Sequence, residues 1–418
     1  MIVLIRLLTL LAVCSLGCTL AATTPRAKEA INIGILAPQA GVYADYGLEA
    51  KRGAELALAE FDGSAGGKLV QLIFETGDAP AETIQARAQV LVSKSEAEII
   101  IGPLSGGEGR ALKAFAKTVP TITFLNGASA ARDLTLMDPA PNFFRFTTDA
   151  AQWMAGLGRY AYFDKGYRQV VTLGENYSFP YTQVMGFLVE FCALGGSVTE
   201  HHWLPFSDKS YAAITAKLET SEADAIFIAL DGDATADFLT QYWNDGGTLP
   251  IIGGSISFDP SLLGANSIFH SRLPGAIAGS PLADGDQGRG WQEFVTAYRA
   301  RYPDTAEEPS LFTFSYYVNT KAALLALDAV DGELSYGGNV FRGALAELSF
   351  ETPVGLVSLD ENRQAIANNY VLEITLGEDN HLHHEVAYVT TSVDQTLGLG
   401  RERYLALGAP GPETPSCP

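Results

Sequence analysis

The feature that most constrains the fold is a repeated alternation. Short, continuously apolar runs are followed by stretches whose apolar residues recur at three- and four-residue steps. Ile31-Asn32-Ile33-Gly34-Ile35-Leu36 is such a run; after a loop, Ala50, Ala54, Ala57 and Phe61 share one helical face that Gly63, Gly66 and Gly67 bring to an end. Residues 69–74 read as the next strand, followed by a helix with Ile84, Ala88, Leu91 and Val92 on one stripe. Glu98-Ile99-Ile100-Ile101-Gly102, a helix around 107–117 and a strand at 120–124 continue the rhythm. Strands without polar alternation are buried on both faces, which calls for a parallel sheet covered by helices on each side.

From about Asp149 the pattern starts again. A helix through Trp153 and Leu157, a strand at 169–173 and a helix with Val184, Leu188 and Phe191 precede strands near 197–199, 225–230 and 250–252. Helices are expected at 291–301 and about 311–329, then an antiparallel pair, 355–359 and 369–375, around the turn-prone Asp360-Glu361-Asn362. The expected fold class is α/β, with two similar lobes. At 418 residues and 47% hydrophobic, the chain is long enough for both. With 27 Lys+Arg against 48 Asp+Glu, the net charge of −21 and the lack of any basic cluster argue against a nucleic-acid partner.

Residues 1–22 carry one cation, Arg6, and an apolar stretch from Leu7 to the small residues Ala21 and Ala22. This reads as an export signal; the 7–22 stretch is short for the roughly 20 residues that span a bilayer, the requirement of the alternative membrane anchor. Leu16-Gly17-Cys18 resembles the end of a lipoprotein box, with Ser15 where that box wants Leu, so lipid anchoring at Cys18 is the lesser alternative. Cys14 and Cys18 lie in this leader, leaving Cys192 and Cys417. In an oxidising compartment these either pair, stapling the Pro-rich 408–418 terminus, or remain two thiols.

In open α/β sheets, ligands sit beyond the carboxyl ends of the strands, where helix N-termini present unpaired N–H groups. The loops concerned are 37–46, 102–109, 125–131, 174–181, 230–234 and 253–258. Catalytic motifs fail: Leu104-Ser105-Gly106-Gly107-Glu108 has no accompanying phosphate loop, no GxGxxG follows the first strand, and Ser129 and Ser255 lack the second Gly of GxSxG. His201, His202, His381, His383 and His384 show no recognised metal spacing. Neither metal nor cofactor is expected.

The run 31–38 (INIGILAP), Gly41, Tyr46-Gly47 and Arg52-Gly53-Ala54-Glu55-Leu56-Ala57 resembles the opening of the periplasmic binding proteins of type I fold, in their leucine/isoleucine/valine- and amide-binding branch. Ile101-Gly102-Pro103-Leu104-Ser105, Asp133-Leu134-Thr135, Glu175-Asn176-Tyr177 and Ala223-Asp224-Ala225-Ile226 extend the likeness to about Val389. The resemblance implies two Rossmann-like lobes joined by three hinge crossings near 147–149, 273–279 and 350–353. The N-terminal lobe would be 30–147 plus 276–350, the C-terminal lobe 148–275 plus 351–392, and 393–418 a tail.

It further implies a non-catalytic solute-binding protein of an ABC importer. Its partners would be a small amino acid, amide or aromatic carboxylate and an inner-membrane permease; it would be periplasmic and monomeric. A sensor of the same fold, signalling through a partner protein, is the alternative. Carried over position by position, the carboxylate-holding groups fall on Ser105 and Gly106 and on Ala128 and Ser129, with tyrosines at Tyr46 and Tyr177. Each short hydroxyl could also serve as a plain helix cap. The acidic residue that meets a ligand ammonium in the relatives falls on or near Ser255, which leaves Asp231 or Asp233 as the available charge. Tyr177, Phe179 and Tyr181 leave room for an aromatic carboxylate.

Overall fold

The computed structural model describes residues 30–76, 81–205, 208–219, 221–258, 260–263, 269–305, 308–414 and 417. The stretch 1–22, expected to be an export signal, lies outside the described residues with Cys14 and Cys18.

The first unit runs β1 (Ala30–Ala37), α1 (Ala44–Glu60), β2 (Ser64–Ala65), β3 (Lys68–Thr76), α2 (Ala81–Ser93), β4 (Ile99–Ile101), α3 (Gly106–Ala116), β5 (Thr123–Leu125) and β6 (Phe143–Phe144). Its sheet order is β2-β3-β1-β4-β5-β6, parallel except at β2. Successive strand residues point to opposite faces. Thus Ile99 and Ile101 pack with Ala50, Ala54 and Ala57 of α1, while Ile100 packs with Ile84 and Leu91 of α2 and Leu112 of α3. Both faces are covered, which is why these strands are apolar without alternation.

The second unit runs α4 (Leu157–Phe163), β7 (Gln169–Glu175), α5 (Ser178–Ala193), β8 (Ser197–Leu204), α6 (Ala212–Leu218), β9 (Ala225–Ala229), α7 (Gly232–Asn244), β10 (Ile251–Gly253), α8 (Pro260–Leu263) and β11 (Ile277–Ser280). Its parallel strands take the order β8-β7-β9-β10-β11, the same order as β3-β1-β4-β5-β6 in the first unit. The order reverses between β1 and β4, and again between β7 and β9, which opens a crevice at each carboxyl edge. The lobes are thus two copies of one winding scheme.

The chain then returns to the first unit through α9 (Arg289–Arg301) and α10 (Leu311–Ala329), followed by α11 (Asn339–Glu347). Helix α10 packs on α1, β4 and β5. A Cβ on Gly53 would stand 2.0 Å from the Thr313 carbonyl oxygen, so α1 and α10 touch backbone to backbone only because that position has no side chain. Strands β12 (Phe350–Thr352), β13 (Gly355–Leu359), β14 (Ala365–Leu376) and β15 (Leu382–Val393) extend the second sheet with antiparallel pairings. One boundary is corrected. Strand β11, expected with the first lobe, is hydrogen-bonded between β10 and β14, so the second crossing comes after Ser280.

At the seam, three passages of chain meet in one buried network. The fully buried Arg145 ion-pairs with Asp149 at 3.6 Å and donates to the Ala131 carbonyl, Thr135 Oγ1 and Gln364 Oε1. Gln364 Nε2 reaches the Thr147 carbonyl, and Gln395 Nε2 donates to Asp149 Oδ2 at 2.9 Å. Of the 393–418 segment, expected as a tail, the described part 393–414 is folded against the lobes: it forms α12 (Arg401–Ala406) and buries Tyr404 completely. Cys192 of α5 and Cys417 are joined by a disulfide, with their Cα atoms 5.3 Å apart.

The loop after β11 carries a second buried pair. Asp284 Oδ2 faces His384 Nδ1 of β15 at 3.7 Å, with side chains only 13% and 8% exposed. Burial pushes the Asp284 carboxyl up to about 8 and lowers the His384 imidazole to about 4, so both are neutral in between. Folded Asp284 keeps a proton that the unfolded chain releases near pH 4, so its contribution falls as pH rises to about 8. His384 gives the opposite slope between about 4 and about 6.5, where the two cancel. The net expectation is a loss of stability as pH rises from about 6.5 to 8. Thermal unfolding followed over that range should show the fall in Tm, and Asp284→Asn should flatten it; an equally steep fall in the variant would refute the assignment.

Candidate ligand-binding site

Between the two carboxyl edges lies a cavity of about 260 Å³. At ~30 Å³ for each water of liquid, that is the room of about nine waters, suited to one small organic molecule. Its first-lobe wall comes from α1, α3 and α10 and from the loops after β4 and β5; its second-lobe wall comes from the Trp153 turn and the loops after β7, β9 and β10.

Aromatic side chains make most of the wall. Tyr46 stacks on Phe312 with ring centroids 4.3 Å apart and on Tyr43 at 6.0 Å, while across the seam Trp153 meets Phe179 edge-on at 5.8 Å and Tyr177 stacks on Phe179 at 6.4 Å. Burial, with Glu175 next in importance, holds the Tyr177 and Tyr43 phenols above their ordinary value. Both phenols therefore stay protonated at neutral pH.

The N-terminus of α3 enters the cavity with Ser105 and Gly106. Ser105 Oγ accepts from the Glu108 N–H at 3.3 Å, and Glu108 Oε2 accepts from the Ser105 N–H at 3.1 Å, a capping box. The first N–H groups of the helix have no partner in its own ladder, so this end favours negative charge.

Four charged residues complete the lining, and they are not equivalent. Arg110 is neutralised by Asp133, its Nε donating to Oδ2 at 3.1 Å. Arg132 is 5% exposed; its guanidinium donates to the Gly408 carbonyl at 3.0 Å, approaches Met185 Sδ at 3.6 Å and lies over the Tyr404 ring at 5.2 Å. Among the described residues no carboxylate stands within salt-bridge distance of it. Asp231 lines the opposite wall while its Oδ1 caps α7, accepting from the Ala234 N–H at 2.8 Å.

Of the residues singled out in the sequence, Tyr46, Ser105, Gly106, Ala128, Tyr177 and Asp231 line this one cavity. Ser129 and Ser255 do not. Ser129 is buried with its hydroxyl turned onto α3, where a Cβ on Gly109 would be 2.2 Å from Oγ. Ser255 Oγ is taken by Gln183 Nε2, and the next residue, Ile256, reaches the cavity in its place. Arg132, Arg110, Trp153 and Phe312 were not anticipated. The only sequence signal for Arg132 is its position directly before the Asp133-Leu134-Thr135 match.

Two α/β lobes of identical winding around one aromatic cavity define a two-lobed solute-binding architecture. The profile of the periplasmic binding protein family matches residues 30–380, and the chain belongs to that family, in its type I, Leu/Ile/Val-binding-like branch. It is 23% identical over 389 residues to the Leu/Ile/Val-binding protein homolog 6 of Brucella suis, covering 90% of this chain and 95% of that one. An ABC transporter substrate-binding protein from Sphaerobacter thermophilus superposes with a TM-score of 0.81 at 23% identity, over 88% of this chain and 99% of the other. A solute-binding protein of an ABC transporter from Rhodopseudomonas palustris HaA2, in complex with p-hydroxybenzoic acid, superposes at 0.80 with 19% identity, over 89% and 100%. Among the described residues no helix is long and apolar enough to cross a membrane.

Proposed function

We propose that this protein is the solute-binding component of an ABC importer, exported to the periplasm by residues 1–22, and that it captures a small aromatic carboxylate between its lobes. In this reading the first lobe is 30–147 with the helices up to 347, and the second is 148–280 with the strands 350–393. The observation that carries the ligand class is Arg132, a buried cation that lines the cavity and has no carboxylate within salt-bridge distance among the described residues. A buried charge lacking a counter-ion is costly, and a ligand carboxylate supplies one. The α3 N-terminus adds to the same preference, while Tyr46, Phe312, Phe179 and Trp153 cover an apolar ring. The p-hydroxybenzoic acid bound by the Rhodopseudomonas palustris protein and the branched-chain amino acids for which the Brucella homolog is named all bear a carboxylate.

Asp231 on the facing wall favours a second reading, an α-amino acid whose ammonium it would meet. One experiment separates the two. Ligand-stripped protein is titrated with benzoate, 4-hydroxybenzoate, L-leucine and L-phenylalanine while Tm is followed. Binding that reaches 100 times Kd adds ~2.7 kcal/mol, a clear rise. The aromatic acids are expected to give it; a rise with the amino acids alone would transfer the assignment to Asp231, and no rise with any of them would sink both.

A further inference from the structure

The cavity has a third wall that neither lobe supplies. Ala409 and Pro410, far beyond the last strand, line it together with Arg132 and Trp153. Their segment is fastened on both sides of the seam. Toward the first lobe, Gly408 offers its carbonyl to Arg132 at 3.0 Å, Tyr404 lies under the same guanidinium, and Gln395 Nε2 donates to the Arg132 carbonyl at 3.0 Å. Toward the second lobe, the Pro412 carbonyl accepts from Trp203 Nε1 of β8 at 3.0 Å and Cys417 is bonded to Cys192 of α5. Between these anchors Gly411 and Thr414 bond each other's backbones at 3.2 Å, closing a tight turn.

We infer that residues 408–414 are a strap that completes the ligand site: Ala409 and Pro410 are specificity-determining contacts, and the Cys192–Cys417 bond holds them in place. The chemistry suits the position. A proline fixes φ and an alanine has no χ freedom, so the strap presents a rigid apolar edge at small entropic cost on binding. The disulfide closes a loop of 225 residues, so it removes a large set of conformations in which the end swings away. The strap also helps set the Arg132 guanidinium, since the Gly408 carbonyl takes one amino group while the Tyr404 ring of α12, just before it, supports its face.

The inference rests on a guest occupying this cavity, so one arm of its test uses no ligand. In the full chain carrying Cys192→Ser and Cys417→Ser, amide exchange without ligand is expected to be at least tenfold faster at Gly411 and Thr414, and faster at Gly106 and Ser178 in the cavity wall. Exchange that is unchanged at both sets overturns the inference, whatever binds. In the second arm the full chain carrying Ala409→Trp is titrated with 4-hydroxybenzoate and with L-leucine. For whichever probe the unaltered protein binds, at least tenfold weaker binding is expected, with Tm in the absence of ligand retained; an equal Kd overturns the inference. If the unaltered protein binds neither probe, the proposed ligand class falls, and the exchange arm still decides the strap.

Discussion

Arg132→Leu is expected to weaken binding of an aromatic carboxylate at least about thirtyfold, the lower edge of the ~2–5 kcal/mol lost when one partner of a buried charge pair is truncated. Arg132 is buried and lines the cavity. Its described partners are a carbonyl, a thioether and an aromatic face, none of which cancels a charge. A ligand carboxylate would therefore be held by charge-assisted hydrogen bonds to a buried cation. Arg132→Lys keeps the charge but not the planar fork, and should recover part of the affinity. Calorimetric titration of the three proteins with 4-hydroxybenzoate checks this. Equal affinity in the leucine variant would remove the carboxylate anchor; equal loss in leucine and lysine variants would make the fork geometry the whole effect.

The second large effect is on stability. Asp149→Ala is expected to destabilise the protein by ~3–5 kcal/mol, because it leaves the buried Arg145 charge without its counter-ion. Asp149 also accepts from the N–H groups of Ala151 and Gln152 at 3.0 Å and from Gln395, so the substitution strands two backbone donors at the seam and takes one acceptor from Gln395, which keeps the Arg132 carbonyl and Thr135 Oγ1. Burial already lowers the Arg145 guanidinium from its ordinary value, which shows how poorly this site solvates a charge. Denaturant unfolding should show a lower midpoint with a similar slope. The double variant Arg145→Leu with Asp149→Leu, which removes the charge as well, should recover much of the loss. A shift below about 1 kcal/mol in Asp149→Ala would mean that water reaches the pair and screens it, as at a surface pair.

Much of the fold was legible because it is written locally. The β1 run, the α1 face and the Gly63, Gly66 and Gly67 stop sit within a few residues of one another, and hydrophobic periodicity reads them directly. Strand β15 was not legible. Its burial alternates along an exposed edge, and His381, His383 and His384 make its start look like a solvated turn. His383 does hydrogen-bond the turn residue Asp379, at 2.9 Å. Strand β11 was assigned to the wrong lobe because a short apolar run carries no record of which neighbours will bond it; β10 and β14 decided that.

At the site the division is sharper. The loops beyond the strand ends could be named from the winding alone, and six of the eight residues chosen there line the cavity. Which way a loop hydroxyl turns could not be read, because Ser129 rotates onto the gap left by Gly109 and Ser255 onto Gln183, contacts made across elements.

By itself the sequence determined an α/β chain whose alternation of strand and helix runs through two lobes, since apolar runs and helical stripes are short-range patterns that any segment carries alone. The role of Arg132 was decided only in three dimensions: the carbonyl that receives it lies 276 residues further along, and no local pattern joins them. The strap, too, belongs to the tertiary structure, because its 225-residue closure brings Ala409 and Pro410 to a cavity built from both lobes. Local propensity acts over a few bonds, whereas a binding site is a meeting of distant ones, and packing alone selects which of them meet.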